Sequence, residues 1–301
     1  GNLPVAKIGE KEYYTFQEAF DACPSDGTET TVEVLRNCTT DMANIIEENK
    51  NIVLDIQSYK IVSGIENLFT NNGKFKIVDS IGNGRIISAK GTILKNEETG
   101  NFAINNITMQ MTGSSAIDET IENKGMLEVT GGVIISDGLK NKCINNIEQG
   151  TVKITGGTVS AYTYAIYNTS SNKVEIEGGT VQATYYYEGY SAIYNNTENG
   201  VVEIKGGLVT NQGKAIENKK GTIKVTGGEI RTTQGDTRYS ECGIYNNGKV
   251  IIEDGKVAAL YGGSGIQNEG GTIEITGGTV SAPEWYNSII NRGTLEISGG
   301  T

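Results

Sequence analysis

One segment recurs along the chain almost unchanged. Gly150-Thr151-Val152-Lys153-Ile154-Thr155-Gly156-Gly157-Thr158-Val159-Ser160-Ala161 returns as Gly271-Thr272-Ile273-Glu274-Ile275-Thr276-Gly277-Gly278-Thr279-Val280-Ser281-Ala282. Weaker copies begin near Gly125, Lys173, Gly200, Gly221, Lys249 and Gly293. One equivalent aliphatic per copy gives Ile104, Val129, Ile154, Ile176, Ile204, Val225, Ile252, Ile275 and Ile297, spaced 21 to 28 residues apart. Fading upstream copies add Val34, Ile56 and Ile77. Such a period signals a solenoid, because one short unit cannot bury its own aliphatics and must be covered by its neighbours.

Each unit carries three strand-like pieces. Val152-Lys153-Ile154 alternates apolar and polar, the period of two of a half-buried strand. A glycine pair then permits a sharp corner. Thr158-Val159-Ser160-Ala161 forms the second piece, and after a variable stretch the third reads Ile-x-Asn, from Ile121/Asn123 through Ile166/Asn168 to Ile289/Asn291. Stacked units pair in parallel at about 4.8 Å, so about twelve coils make a rod of roughly 50–55 Å. Parallel crossovers are nearly always right-handed. The expected fold is therefore all-β, a right-handed parallel β-helix of three sheets. The repeated asparagines are expected to form an inward ladder, each amide bonding its neighbour or the backbone.

Residues 1–30 are expected to form a cap of a strand plus an amphipathic helix, and residues 31–301 the β-helix. Thr15-Phe16-Gln17-Glu18 has the form of a capping box. Phe16, Ala19, Phe20 and Cys23 fall on one helical face, and Pro24 ends it. The helix is expected to cover the first coil around Val32 and Val34, shielding edges that invite aggregation. The chain opens at Gly1-Asn2-Leu3 without methionine and stops in mid-repeat at Gly299-Gly300-Thr301. A removed targeting segment upstream, and further coils or an anchor downstream, are expected.

The chain has 41 glycines but 3 prolines among its 301 residues, a composition of many turns rather than of disordered linkers. Its formal net charge of −11 argues against nucleic acid and anionic membrane as partners. No apolar run approaches the roughly 20 residues of a membrane-spanning helix. Cys23, Cys38, Cys143 and Cys242 are too scattered for a disulfide framework or a zinc site. Cys23 and Cys38 flank the first coil and could meet; the other two lie too many coils apart.

The cap followed by Thr31-Val32-Glu33-Val34-Leu35, and the Gly-Thr-Val-Lys-Ile-Thr-Gly-Gly-Thr-Val-Ser-Ala repeat, resemble the pectate-lyase-like right-handed β-helix superfamily. More narrowly they are similar to repeat-rich surface proteins and carbohydrate-binding β-helix modules of Firmicutes. The resemblance covers residues 5–301 and rests on scaffold. It implies a bacterial extracellular or cell-surface setting, but not one activity, since lyases, hydrolases, adhesins and passive binding modules share the fold.

Lyases of that superfamily use acidic residues on adjacent coils to hold Ca²⁺, with Arg or Lys as base. Only 9 aspartates are present, and none clearly align on neighbouring coils. Glu175, Glu177 and Glu203 form the densest outward carboxylate group, but Lys153, Lys205 and Lys224 surround it, as in a solvated charge pattern. Arg231, Asp236 and Arg238, with Glu241, are the suspects if the chain is a polysaccharide lyase or hydrolase; Ca²⁺ is expected only in that case. No other cofactor or metal is expected. The lack of histidine removes several acid–base schemes.

Twelve of the 15 tyrosines and the single tryptophan fall between residues 162 and 286. Most lie at or just after the variable corner: Tyr162, Tyr164, Tyr185, Tyr186, Tyr187, Tyr190, Tyr239, Tyr261, Trp285 and Tyr286. Tyr167, Tyr194 and Tyr245 take the outward middle position of Ile-x-Asn. Stacked coils should gather these rings into a band along one edge, a surface suited to sugar rings. The plainer alternative is a tyrosine ladder packed on itself. The expected function is a non-catalytic module that binds polysaccharide or host glycan. An enzyme, or a structural stalk or adhesin that binds a surface protein, are the alternatives.

Overall fold

The computed structural model describes residues 2–113, 119–139, 141–185, 189–234 and 241–301. It is an all-β parallel β-solenoid of about 11 turns. Three strand positions per turn stack into three faces. The first face runs from β3 (Glu29–Val34) to Thr294–Ile297, the second from Cys38–Thr40 to Thr279–Ser281, and the third from Asn44–Ile46 to Ile289–Asn291. Lateral pairs are parallel throughout these faces, for example Val152↔Val174 and Ile166↔Ile193. The expectation of twelve coils is corrected to about 11. The aliphatic column counted turns by their first strand, and the last such strand is followed only by Ser298, Gly299, Gly300 and Thr301.

The column of inward aliphatics also needs two corrections upstream. Ile77 pairs with Leu54, and Leu54 with Val32, so Val32 and Leu54 replace Val34 and Ile56 in that register. A slip of two residues keeps the same face inward, so alternation alone could not distinguish the two alignments. All four side chains are buried in the single continuous core.

The cap closes the N-terminal end in two ways. β1 (Ala6–Ile8) and β2 (Lys11–Tyr13) form an antiparallel hairpin, and β1 pairs antiparallel with β3, covering its edge. α1 (Phe16–Ala22) starts at Thr15, whose side chain accepts the Glu18 N–H at 3.1 Å. Glu18 accepts in return from the Tyr14 N–H at 3.1 Å. Gln17 then imitates a peptide group. Its Nε2 donates to the Ile45 carbonyl at 3.1 Å and its Oε1 accepts the Ile45 N–H at 2.6 Å. A strand edge of the first turn is thereby satisfied. Phe20 passes beyond the first turn and packs on Phe69 and Phe75, with ring centroids 6.2 and 5.7 Å away. Phe102 continues this stack from Phe75 at 5.7 Å. All four cysteines are free thiols. Cys23 is not joined to Cys38 but turns into the core, its thiol donating to the Ala19 carbonyl at 3.3 Å.

The asparagine column is continuous. From Asn71 through Asn96, Asn123, Asn146, Asn168, Asn195, Asn218, Asn246 and Asn268 to Asn291, each Nδ2 donates to the next Oδ1 at 2.7 to 2.9 Å. Every member but Asn291 is buried. Spare Nδ2 protons bond backbone carbonyls, as Asn146 does to Gly150 at 2.9 Å. The buried amides are thus satisfied along the corner between the third and first faces, as buried polar groups must be.

Candidate functional site

The corner between the second and third faces absorbs the variation in turn length. The second-face strand ends at Ala183 and the next third-face strand starts at Ser191; a later pair is Thr232 and Cys242. Of the residues expected at this corner, Tyr186, Tyr187, Asp236, Arg238 and Tyr239 lie outside the described residues.

The remaining tyrosines split into two groups. Tyr162 and Tyr185 stack at 4.6 Å, and Tyr185 meets Tyr190 at 5.5 Å. Tyr164 contacts Tyr190 edge-on at 5.3 Å, and Tyr167 and Tyr194 at 5.1 and 5.7 Å. Tyr167 stacks on Tyr194 at 4.6 Å. The Tyr164 hydroxyl donates to the Gly189 carbonyl at 2.6 Å. These half-buried rings pack chiefly on one another, which fits the tyrosine-ladder alternative for this part of the band. Burial, then the nearby Glu217, holds the Tyr164 phenol above its ordinary pKa, so it stays protonated.

The second group faces water. Tyr261 is 71 % exposed, Trp285 93 % and Tyr286 38 %. Among the described residues no ring contact joins them to the packed cluster. The pairing Ala258↔Ser281 places Tyr261 and Trp285 in successive turns at this same corner. The Tyr286 N–H bonds the Pro283 carbonyl at 3.0 Å, and Trp285 has φ 77. That is the form of a type II turn with a bulky residue where glycine is preferred. Holding a side chain there costs about 1–3 kcal/mol.

The outer side of the third face holds two columns rather than the single one read from Ile-x-Asn. One runs Glu122, Asn145, Tyr167, Tyr194, Glu217, Tyr245. The other, three residues earlier, includes Glu119, Lys142, Tyr164 and Lys214. Each long member leans toward the next turn. Lys142 Nζ lies 3.9 Å from the Tyr167 ring centroid and Lys214 Nζ 4.1 Å from that of Tyr245. These are cation–π seats filled from within. Lys214 also pairs with Glu217 at 3.5 Å. Glu119, Lys142, Lys214 and Glu217 were missed by sequence reasoning. The first three stand three residues before the middle position of a third strand, and Glu217 occupies that middle position itself.

Burial first, and then the adjacent Glu122 carboxylate, raises the Glu119 pKa to about 7. Below its ordinary value of 4.5, Glu119 is protonated folded and unfolded alike. As pH rises toward 7, only the unfolded chain releases the proton, so stability falls across that window. Glu119→Gln is therefore expected to raise the urea midpoint at pH 8 while leaving it little changed at pH 4. An equal shift at both pH values would contradict this.

The Glu175, Glu177 and Glu203 carboxylates of the first face are ion-paired. Lys173 bonds Glu175 at 2.9 Å and also Glu203, and Lys205 reaches Glu175 at 3.1 Å. Lys153 lies 3.6 Å from Glu177, and Lys224 pairs elsewhere, with Glu253 at 3.2 Å. Hydrogen bonding within this lattice lowers the Glu175 pKa to about 2. Asp55 and Asp79 sit in neighbouring turns, but both accept backbone N–H groups, Asp55 from Ser80 at 3.0 Å and Asp79 from Ile81 at 2.9 Å. Arg231 pairs with Glu229 at 3.3 Å. Among the described residues no group of three or more His, Cys, Asp or Glu could hold a metal ion. No helix among them is long and apolar enough to cross a membrane.

The chain matches no family model, no curated protein and no solved structure. The β-solenoid and its asparagine ladder rest on the structure itself, and the function on its surface chemistry.

Proposed function

We propose that this chain is a non-catalytic polysaccharide-binding module of the cell exterior, engaging an extended glycan along the corner between the second and third faces. The observation that carries the reading is a pair of rings in successive turns: Tyr261, 71 % exposed with a turn stacked on either side, and Trp285 on a left-handed backbone. Strain held in a turn to present a ring to water has a use in binding, not in packing. Flat rings offered by successive turns suit successive sugars of one chain. A lyase reading has less support, since Arg231 is engaged with Glu229, and Glu175, Glu177 and Glu203 are paired with lysines.

Affinity electrophoresis in gels containing neutral or uronic polysaccharides tests this. Trp285→Ala and Tyr261→Ala should each weaken retardation about tenfold, the loss of roughly 1.4 kcal/mol. Tyr194→Phe, which keeps a packed ring, should not change it. Full retention of binding by Trp285→Ala on every glycan that retards the parent would refute the proposal.

A further inference from the structure

The face opposite the strain-bearing corner has its own surface relief. A recess of 330 Å³ is lined by Asn101, Met126, Thr151 and Lys173, with Leu127 and Val152 beneath. It shares Asn101 with a recess of 580 Å³ reaching back to Asn51, and Lys173 with one of 370 Å³ reaching forward to Val201. The shared residues belong to one register column, the first outward position of the first face. The three recesses are therefore one groove parallel to the rod axis. From Asn51 to Val201 it crosses six inter-turn steps, via positions 74, 101, 126, 151 and 173. At about 4.8 Å per step its length is roughly 29 Å.

The chemistry of the groove selects one class of occupant. All but one of its lysines are engaged: Lys173 by Glu175 and Glu203, and Lys50 by the Asp21 and Cys23 carbonyls, leaving Lys74 as the one lysine of the groove without an ion pair among the described residues. Lys153 is held by Glu177. A polyanion would find no run of free lysines here. The amides of Asn49, Asn101 and Asn199 make no hydrogen bond within the described residues, and each lines the groove. Met126, 60 % exposed, provides an apolar floor between them. Unengaged amides around an apolar floor match the hydroxyls and ring faces of a neutral sugar chain.

We infer that this groove is a second, axis-parallel binding track for a neutral linear glycan, separate from the Trp285 corner. It extends the glycan-binding reading of that corner but does not use its residues. Two parallel tracks on one rod would let a single molecule hold two chains, or hold one polymer with raised avidity.

Isothermal titration with cellohexaose, mannohexaose and chitohexaose tests the inference. The parent should bind two molecules of at least one of these per chain. Met126→Arg with Asn101→Ala, both exposed positions, should leave one site and an unchanged unfolding midpoint. Trp285→Ala should leave the other. If the parent binds one hexaose and the groove variant is unaffected, the groove inference falls and the corner reading stands. If the groove variant loses all binding while Trp285→Ala loses none, the corner reading falls instead. If no hexaose binds, the groove inference falls, while the corner reading is decided by the electrophoresis with uronic polysaccharides.

Discussion

Asn195→Ala is expected to lower the unfolding free energy by about 4 kcal/mol, with Asn291→Ala lowering it by less than about 1 kcal/mol. The reason lies in who else serves the neighbours. Asn195 accepts the Asn168 Nδ2 at 2.8 Å and donates to the Asn218 Oδ1 at 2.9 Å. Among the described residues no other hydrogen bond uses the Asn168 Nδ2 or the Asn218 Oδ1, and both residues are fully buried. Alanine at 195 thus strands a donor above and an acceptor below, at about 1–3 kcal/mol each, and adds a void. Asn291 is exposed, so water replaces what is lost there. Urea titrations of both variants check the contrast. Equal losses would mean that the ladder contributes no more inside the rod than at its end.

The second large effect concerns the glycine corner between the first and second faces. Gly207→Ala is expected to cost about 3 kcal/mol or more, against about 1 kcal/mol for Gly189→Ala. Gly207 has φ +72, and a methyl group there would stand 2.6 Å from the Gly179 carbonyl oxygen and 2.7 Å from the Gly178 carbonyl carbon. Those atoms belong to the backbone of the turn below and have no room to yield. Gly189 also has positive φ, at +101, but a methyl would meet nothing within 4 Å. The pair separates backbone strain from inter-turn collision. Similar thermal midpoints for the two variants would show that the turns do not press on each other at this corner.

The repeat made the parallel β-solenoid legible because its logic is local. Alternation, a glycine pair and Ile-x-Asn recur in each unit, and each has one physical use. The asparagine column was read only from Asn123 onward. Asn71 and Asn96 belong to it, but they follow Phe69 and Leu94, so a motif written with isoleucine passed over them. The Val34 and Ile56 misalignment came from the even period of strands, which hides any slip of two. The aromatic corner was legible as composition and not as contact. Whether Tyr164 or Trp285 faces a neighbour or water depends on rotamers and on backbone at one turn residue, and neither leaves a mark in the spacing. Glu119 and Lys142 were hidden for another reason. Their column lies three residues from the one inspected, outside a strict alternation.

The asparagine ladder also gives the rod a direction. Every amide in it hands its proton onward in the same chainward sense, from Asn71 to Asn291. Amide dipoles of about 3.5 D aligned in series sum rather than cancel. The molecule is therefore a weak electret, carbonyl-negative at its helix-capped pole and N–H-positive at the other. Two such rods meeting pole to pole would attract in one orientation and repel in the reverse.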